Sequence, residues 1–429
     1  QKIFFNDTAT TEIYTRLDSS AASDVYKRQV LFLVAATAEA KQKPRKAKIK
    51  AVSYNLYVGA SIFRVFDPPA CGPAQAVFDI HSIIQQTDFP ARAEAIADEI
   101  AEVEPHVIGL QEVTMLRTGP ADSLTPSGIE LLPPESCSSA PCFTFKTNAQ
   151  VVQYDYLKIL QDALAARGLH FKVAEGASTV NADVEFPAID FFFDGASCAP
   201  ISLPEDVRLT DRDVVLVRED LDINFQTGKN FDFNLPIQLP TLLPTPGGAV
   251  PATYVAEFTR GWGAINLTIK DQAFSVLNTH LEVGDDAEAP DHPLNLIQGA
   301  QAIEAAVATG LLPTPLLLIG DINSSPGSGF TDPRPAYFIL SQLAQLTDVW
   351  NIRHQPGQED GFTCCQNETV DNLESELDQR IDVIMADFGG LQVDKAKFRV
   401  LGDQPEDTTP AGLWPSDHAG VGAKIEFER

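Results

Sequence analysis

Basic residues are scarce. The 429-residue chain sets 31 lysines and arginines against 59 acidic residues, a formal net charge of −28. A broad positive surface that gathers nucleic acid by its backbone is therefore excluded at the level of composition. A phosphate-bearing substrate is not excluded, because bound divalent cations supply positive charge locally. The six cysteines (71, 137, 142, 198, 364, 365) include no CxxC pair, and no histidine stands at zinc-ligand spacing from one, which argues against a structural zinc. No apolar run reaches the roughly 20 residues a helix needs to cross a bilayer, and there is no internal repeat. What is abundant is apolar material: 44% of the chain is hydrophobic, with 25 phenylalanines, ample for a large core.

An even number of cysteines suits disulfides in an exported protein. Cys137 and Cys142 are spaced to close a short loop. Cys364 and Cys365 are adjacent, where a bridge is strained, so at least one is expected to pair elsewhere.

The N-terminal stretch fits nothing that follows. Gln1–Gln29 resembles the peptide translated from sequencing-adapter read-through and is set aside from the fold. Val30–Ala40 (VLFLVAATAEA) reads as the remnant of a secretory signal peptide. Ala36-Thr37-Ala38 and Ala38-Glu39-Ala40 both suit cleavage, giving a secreted or periplasmic protein that begins near Lys41 or Glu39. Residues 41–50 read as a basic tail, and 51–429 as one catalytic domain.

Within that domain the apolar pattern alternates between strands and helices. Ile49–Ser61, Val107–Val113, Leu209–Asp220, Gly263–Ile269, Ala273–Val283, Leu316–Asp321, Gln379–Asp387 and Trp414–Phe427 read as strands. Pro90–Val103, Val151–Ala166, Leu294–Thr309 and a segment near Pro335–Gln345 read as helices. Met115–Asn148, rich in proline and serine, reads as a surface insertion. Asn224–Ala252, with five prolines, reads as an excursion or long hairpin.

Six strands each deliver polar residues at or near an end: Asn55, Glu112, His280, Asp321 with Asn323, Asp382, and Asp417 with His418. The Leu316 strand (LLLIGDINSSP) is the clearest, since its unbroken apolar run is that of a strand covered on both faces. Asp321 and Asn323 leave it two residues apart and share a face if the backbone stays extended. Each residue alone has a bland account as a turn former or a hydrogen-bonded core histidine. Together the types are those of metal-assisted phosphoester hydrolysis: carboxylates for a hard cation, imidazoles for proton transfer, amides to orient phosphate.

The ordered set YNL (Tyr54–Leu56), LQEV (Leu110–Val113), NTHLE (Asn278–Glu282), GDIN (Gly320–Asn323), RID (Arg380–Asp382) and SDH (Ser416–His418) resembles the endonuclease/exonuclease/phosphatase superfamily with its deoxyribonuclease I-like fold. The resemblance runs from about Ile49 to Phe427. It implies a four-layer α/β sandwich, two packed mixed β-sheets flanked by helices, with the site at one rim. It makes Glu112 the principal ligand of Mg²⁺ (or Mn²⁺), assisted by Asn55 and Asp417. Asp321 then orients or deprotonates the attacking water, and Asn323 holds the phosphate. His418 transfers a proton with Asp382 holding its ring, while His280 acts on the other side of the phosphorus with Asp211 as its partner. The chain departs from the LNYR continuation of inositol polyphosphate phosphatases and from the GLR continuation of abasic-site endonucleases.

The resulting expectation is a secreted metal-dependent phosphodiesterase, a nuclease by preference and a monomer without an obligate protein partner. A sphingomyelinase-like phospholipid phosphodiesterase is the first alternative. It draws on the apolar tip of Phe231–Tyr254 (Leu235, Ile237, Leu239, Leu242, Leu243), which could touch membrane lipid, although packing against the body is the favoured reading of that stretch. A catalytically inactive binding module on the same fold is the second, and two histidines that a binder does not need count against it.

Overall fold

The computed structural model describes residues 47–428, apart from 138, 140, 233–234, 244, 246–249, 284–293, 313–314, 327–334, 353 and 355–360. The leader, the signal remnant and most of the basic tail lie outside the described residues.

Two sheets stack face to face. The nine-stranded sheet runs Gln392–Leu401, Gly420–Glu428, Ala47–Asn55, Val107–Gln111, Glu205–Arg218, Met115–Pro120 and Val151–Asp155, with Phe171–Val173 and Thr179–Ala188 also paired to the long Glu205–Arg218 strand. The six-stranded sheet runs Ile223–Asn230, Gly261–Ile269, Gln272–His280, Leu316–Asp321, Asp382–Asp387 and Thr347–Asp348. Between them lies a core of Ile49, Ala51, Val215, Val217, Ile265, Phe274, Val276, Leu317, Ile319 and Ile425. The outer face of the first sheet is covered by helices Phe89–Val103 and Tyr156–Ala166. The outer face of the second carries helix Leu294–Ala308 and the expected second helix, Pro335–Phe338 continued as the wider-wound Ile339–Leu343. The four layers are those expected, helix, sheet, sheet, helix.

The central strands are buried along their whole length. Every residue of Val107–Gln111 and of Leu316–Asp321 is buried, which is why both read as unbroken apolar runs. Helix Phe89–Val103 begins where Asp88 accepts the Ala91 amide and Pro90 occupies the first turn, and it buries Ala93, Ile96, Ala97 and Ile100 at helical spacing.

Several boundaries depart from the sequence reading. The first strand starts at Ala47, so Lys48 and Lys50 belong to it rather than to a tail. Ala47, Ile49 and Ala51 face the core while the two lysines point the other way, the period-2 pattern of a strand. Met115–Asn148 is not wholly an insertion, because Met115–Pro120 pairs with Glu205–Arg218 inside the first sheet. Val151–Asp155 is strand, and the helix begins only at Tyr156. The helix Pro73–Gln86 and the strands Thr179–Ala188 and Gln392–Leu401 were not anticipated. Strands Leu235–Leu243 and Val250–Phe258 form the expected hairpin. Leu239 and Leu243, the tip residues whose side chains are described, pack into apolar clusters of the body. The cysteines pair as Cys71–Cys198, Cys137–Cys142 and Cys364–Cys365. The short loop is as expected, whereas the adjacent pair closes on itself.

His106 introduces a pH dependence. It sits before the Val107 strand, and its Nδ1 accepts the Lys50 amide at 3.0 Å while its own amide donates to the Lys50 carbonyl at 2.8 Å. Burial, with Arg218, Lys48 and Lys50 nearby, pushes the imidazole down to about 4 from 6.5. A group that binds its proton more weakly when folded costs stability as pH falls from its unfolded value through its folded one. Urea unfolding is therefore expected to show stability falling between about pH 6.5 and 4, with a shallower fall in His106→Gln, whose amide oxygen still accepts from Lys50. An unchanged slope in that variant would remove His106 from the account.

Candidate active site

Strand register assembles the site. The parallel pair Ala47–Asn55 and Val107–Gln111 sets Asn55 beside Gln111, and Glu112 follows directly. In the second sheet, the parallel pair Gln272–His280 and Leu316–Asp321 sets His280 beside Asp321, and the antiparallel neighbour sets Asp382 opposite Asp321. The sheets are stitched across the gap by two amides. Gln111 Nε2 donates to Asn278 Oδ1 at 2.7 Å, and Asn55 Nδ2 donates to Asp321 Oδ2 at 3.1 Å.

Three backbone devices aim the side chains. Gly320 adopts φ 150°, and a Cβ there would lie 1.9 Å from the Thr279 carbonyl oxygen, so only glycine lets the two central strands approach. Asp321 Oδ1 then accepts the Asn323 amide at 2.9 Å, and Asn323 turns into the left-handed region at φ 47°. The backbone does not stay extended, so Asp321 and Asn323 are not simple face partners. Asn323 gives one amide hydrogen to the Leu281 carbonyl at 2.9 Å. Glu112 is also left-handed, at φ 55°. For a residue with a Cβ that conformation costs about 1–2 kcal/mol, which the surroundings repay by fixing its carboxylate between Asn55 Nδ2 at 3.1 Å and the Val58 amide at 2.8 Å.

The loops carrying the ligand candidates are clamped by one buried cation. Arg92, fully buried, donates to the carbonyls of Thr87, Leu56 and Pro415 at 2.8, 3.0 and 3.0 Å. It thereby ties the segment after Asn55 to the segment before Asp417. Ser416 Oγ adds a bond to the Asn55 carbonyl at 2.8 Å.

Both imidazoles converge on one oxygen. Asp321 Oδ2 lies 3.5 Å from His280 Nε2 and 3.9 Å from His418 Nδ1. His418 is held by Asp382, Nδ1 to Oδ2 at 2.9 Å, and both are buried. Burial pulls the His418 imidazole down, but Asp382 and Asp417 outweigh it and leave it well above its ordinary value. Burial also pushes the Asp382 carboxyl up to about 6 despite His418. His418 Nε2 points toward Cys365 Sγ, 4.0 Å away. Thr363, just before the cysteine pair, offers its Oγ1 to the amides of Ile381 and Asp382 at 3.1 and 3.0 Å.

His280 Nδ1 has two neighbours of opposite kind. Arg260 Nη1, which can only donate, stands at 3.1 Å, and an Asp213 oxygen, which can only accept, stands at 3.7 Å. A neutral ring takes the arginine bond, and a charged ring turns its N–H to the carboxylate, so both protonation states find a partner. Burial and Arg260 lower the imidazole, while Asp213 and Asp321 more than compensate and raise it.

The pairing of His280 corrects the expectation. Asp213 rather than Asp211 makes the close approach. The two lie two residues apart on one strand, and the pairing with Thr179–Ala188 shifts register between Asp211 and Arg212, a shift that sequence spacing does not display. Asp211 instead accepts from Asn181 Nδ2 at 3.4 Å, and burial with the neighbouring Asp213 and Glu112 charges pushes it up to about 6. Arg260 was missed altogether, since nothing marks a lone arginine between two strands. Asp213 had a weak signal in the Asp211-Arg212-Asp213 alternation.

The donor set fits a hard divalent cation. Glu112 and Asp417 are half-buried carboxylates on neighbouring loops. Burial and the Glu112 charge push the Asp417 carboxyl up to about 7 even though His418 lowers it. Crowded acidic oxygens of this kind, with an amide beside them, suit Mg²⁺ or Mn²⁺ and offer nothing to a soft ion. Glu112 and Asp417 would hold it, and bound there it would draw charge off the non-bridging oxygens of a phosphoester; Asn55, expected as a further ligand, instead turns Nδ2 to Glu112 and Asp321 while its Oδ1 accepts the Tyr57 amide at 3.0 Å. Asp321 and the two imidazoles are placed to position and deprotonate water and to protonate a leaving oxygen.

Among known proteins the chain has matches at the level of family and of structure. A family model described as the Endonuclease/Exonuclease/phosphatase family matches residues 52–418. No curated protein matches. Among solved structures, a protein of that family from Bacteroides thetaiotaomicron is similar at 14% identity and TM-score 0.47, covering 90% of this chain and 100% of its own. Truncated Caenorhabditis elegans TDP2 is similar at 14% identity and TM-score 0.44, covering 88% and 97%. The human Nocturnin catalytic domain with bound sulfate is similar at 14% identity and TM-score 0.42, covering 90% and 98%.

Proposed function

We propose, from the premise that this chain belongs to the endonuclease/exonuclease/phosphatase family of metal-dependent phosphoric ester hydrolases, that it hydrolyses phosphodiester bonds of nucleic acid with Mg²⁺. The observation that carries this reading is the convergence of Asn55, His280 and His418 on Asp321 Oδ2. It provides a water-orienting carboxylate beside His280 Nε2, with His418 fixed through Nδ1 on Asp382 and left with Nε2 to carry a proton, which an inactive binding module does not require. Export is part of the proposal. All six cysteines are paired, and Cys71–Cys198 spans 127 residues, as suits an oxidising compartment.

Contact with nucleic acid is then confined to a few residues around the site, because the surface is acidic. A protein neutralising only two or three phosphates has a salt slope of about −2 to −3 in log K against log salt. Binding of the His280→Ala/His418→Ala variant to duplex DNA in Ca²⁺, over a salt series, is expected to give that slope. A much steeper one would contradict local contact.

A phospholipid substrate is the second reading, favoured by exposed aromatics. Phe63 and Phe66 are 56% and 39% exposed on the turn after Ser61. That turn is tied to the loop that follows Cys365 by Arg64 and the Ser61 amide bonding Glu368. Turnover of sphingomyelin vesicles without cleavage of DNA or RNA would transfer the function to this reading.

A further inference from the structure

A second group of carboxylates shares no residue with the active site. Asp122 opens a short turn after the strand Met115–Pro120, Glu185 lies in Thr179–Ala188, and Asp206 lies in Glu205–Arg218. One oxygen from each comes within 4.8 Å of the others. Glu185 and Asp206 are fully buried and Asp122 is half-buried.

Their hydrogen bonds account for only part of their capacity. Glu185 Oε2 accepts the Asn148 and Ala149 amides at 2.7 and 2.8 Å. Asp206 accepts the Ser123 amide at 2.9 Å on Oδ2 and the Ser123 hydroxyl on Oδ1. Asp122 Oδ2 accepts from Asn148 Nδ2 at 2.7 Å. Glu185 Oε1 and Asp122 Oδ1 remain, both buried and both without a donor. Among the described residues no lysine or arginine pairs with any of the three.

A buried carboxylate oxygen without a partner forfeits its hydration for nothing, a cost of about 1–3 kcal/mol or more when charged. Two such oxygens beside a third carboxylate, with no cation bonded to any of the three among the described residues, carry that penalty and their mutual repulsion as well. Two resolutions exist: one carboxyl keeps its proton, or a cation sits among them. The donors are all hard oxygens on three separate segments, two of them anchored by backbone amides and Asp122 by the Asn148 side chain, which favours a large hard ion that tolerates irregular geometry over Mg²⁺ with its strict octahedron.

We propose that Asp122, Glu185 and Asp206 form a structural Ca²⁺ site that fastens the segment from Asp122 to Ala149 onto the first sheet. The site is independent of the catalytic reading. Affinity on the scale of extracellular modules, about 10⁻⁴–10⁻³ M, is expected.

The test is thermal unfolding of the full chain, stripped of metal and then titrated with Ca²⁺. At 10 mM Ca²⁺ the wild type is expected to melt about 2–4 °C higher, the shift for tenfold to hundredfold excess over the dissociation constant in a chain of this size. Glu112→Gln should keep most of the rise, losing only the part due to Ca²⁺ at the active site. Glu185→Gln, which retains an acceptor for the Asn148 and Ala149 amides, should lose most of it. Asp122→Asn, at the half-exposed member, should weaken Ca²⁺ binding at least tenfold by calorimetry. No rise in the wild type, or a rise lost in Glu112→Gln and kept in Glu185→Gln, would overturn the proposal. A wild type unaffected by Ca²⁺ and less stable at higher pH would point to the shared proton instead. Loss of catalysis in Glu112→Gln reports on the other site and leaves this one standing.

Discussion

His418→Ala is expected to lower kcat by about 10²–10⁴-fold while the protein stays folded. That is the usual scale for a positioned general acid–base group. His418 is buried and paired with Asp382 at 2.9 Å, so its ring is fixed by one nitrogen and presents the other. Alanine removes the proton carrier and leaves the Asp382 carboxyl, already raised to about 6, free to keep a proton. That response limits the damage to the fold. Asp382→Asn is the positioning control. The ring stays but loses the acceptor that sets its tautomer, so kcat should fall less and the pH profile should move. Steady-state kinetics on a model phosphodiester, with circular dichroism to confirm folding, measure both. Near-wild-type turnover in His418→Ala would remove it from the chemistry.

Glu112→Gln is expected to raise the Mg²⁺ concentration for half-maximal activity about tenfold to hundredfold. Two unit charges 4 Å apart interact by about 4 kcal/mol at an effective dielectric of 20, roughly a thousandfold in binding, and a divalent ion at contact distance interacts more strongly still. Asp417 and water share the load, so the observed loss should be smaller. Glutamine keeps the size of the side chain and an oxygen to accept the Val58 amide at Glu112's present 2.8 Å. The left-handed backbone at that position is thus still supported, and a fall in activity reports on charge. Excess Mg²⁺ should restore part of the rate. An unshifted metal dependence would place the cation elsewhere.

The strand ends were legible because the chemistry of burial exposes them. A strand covered on both faces must be apolar until it reaches the rim, so Leu316–Asp321 and Val107–Gln111 announce the residues that follow. Asn55, Glu112, His280, Asp321, Asp382 and His418 are all found within one hydrogen-bonded or ion-paired cluster. What spacing cannot carry is long-range pairing. Asp213 and Asp211 look alike from the sequence, two residues apart on one strand, and only the folded positions bring Asp213 to 3.7 Å from His280. Arg260 reaches His280 from the end of a neighbouring strand. Proline and serine in Met115–Asn148 hid strand Met115–Pro120, whose partner lies about ninety residues further along the chain. The helix Pro73–Gln86 did carry a signal, with Val77, Ile80 and Ile84 buried at helical spacing after a proline at its first turn.

The departure at the cysteines has the same origin. Adjacent cysteines read as an awkward pair when the chain is considered alone. In the structure they lie where Cys364 bridges to both Gln379 and His418, so the backbone is held on two sides by the elements that carry Asp382 and His418. The pair belongs to the active-site wall.

The most direct test of the account is hydrolysis of bis(4-nitrophenyl) phosphate by metal-stripped protein, with Mg²⁺ or Mn²⁺ returned, for the wild type and for His280→Ala/His418→Ala. The account predicts no turnover without metal, turnover in the wild type when metal is restored, and a loss of at least about 10²-fold in the double variant at every metal concentration. Turnover that survives metal removal, or equal rates in the two proteins, would contradict a metal-dependent site in which both imidazoles act.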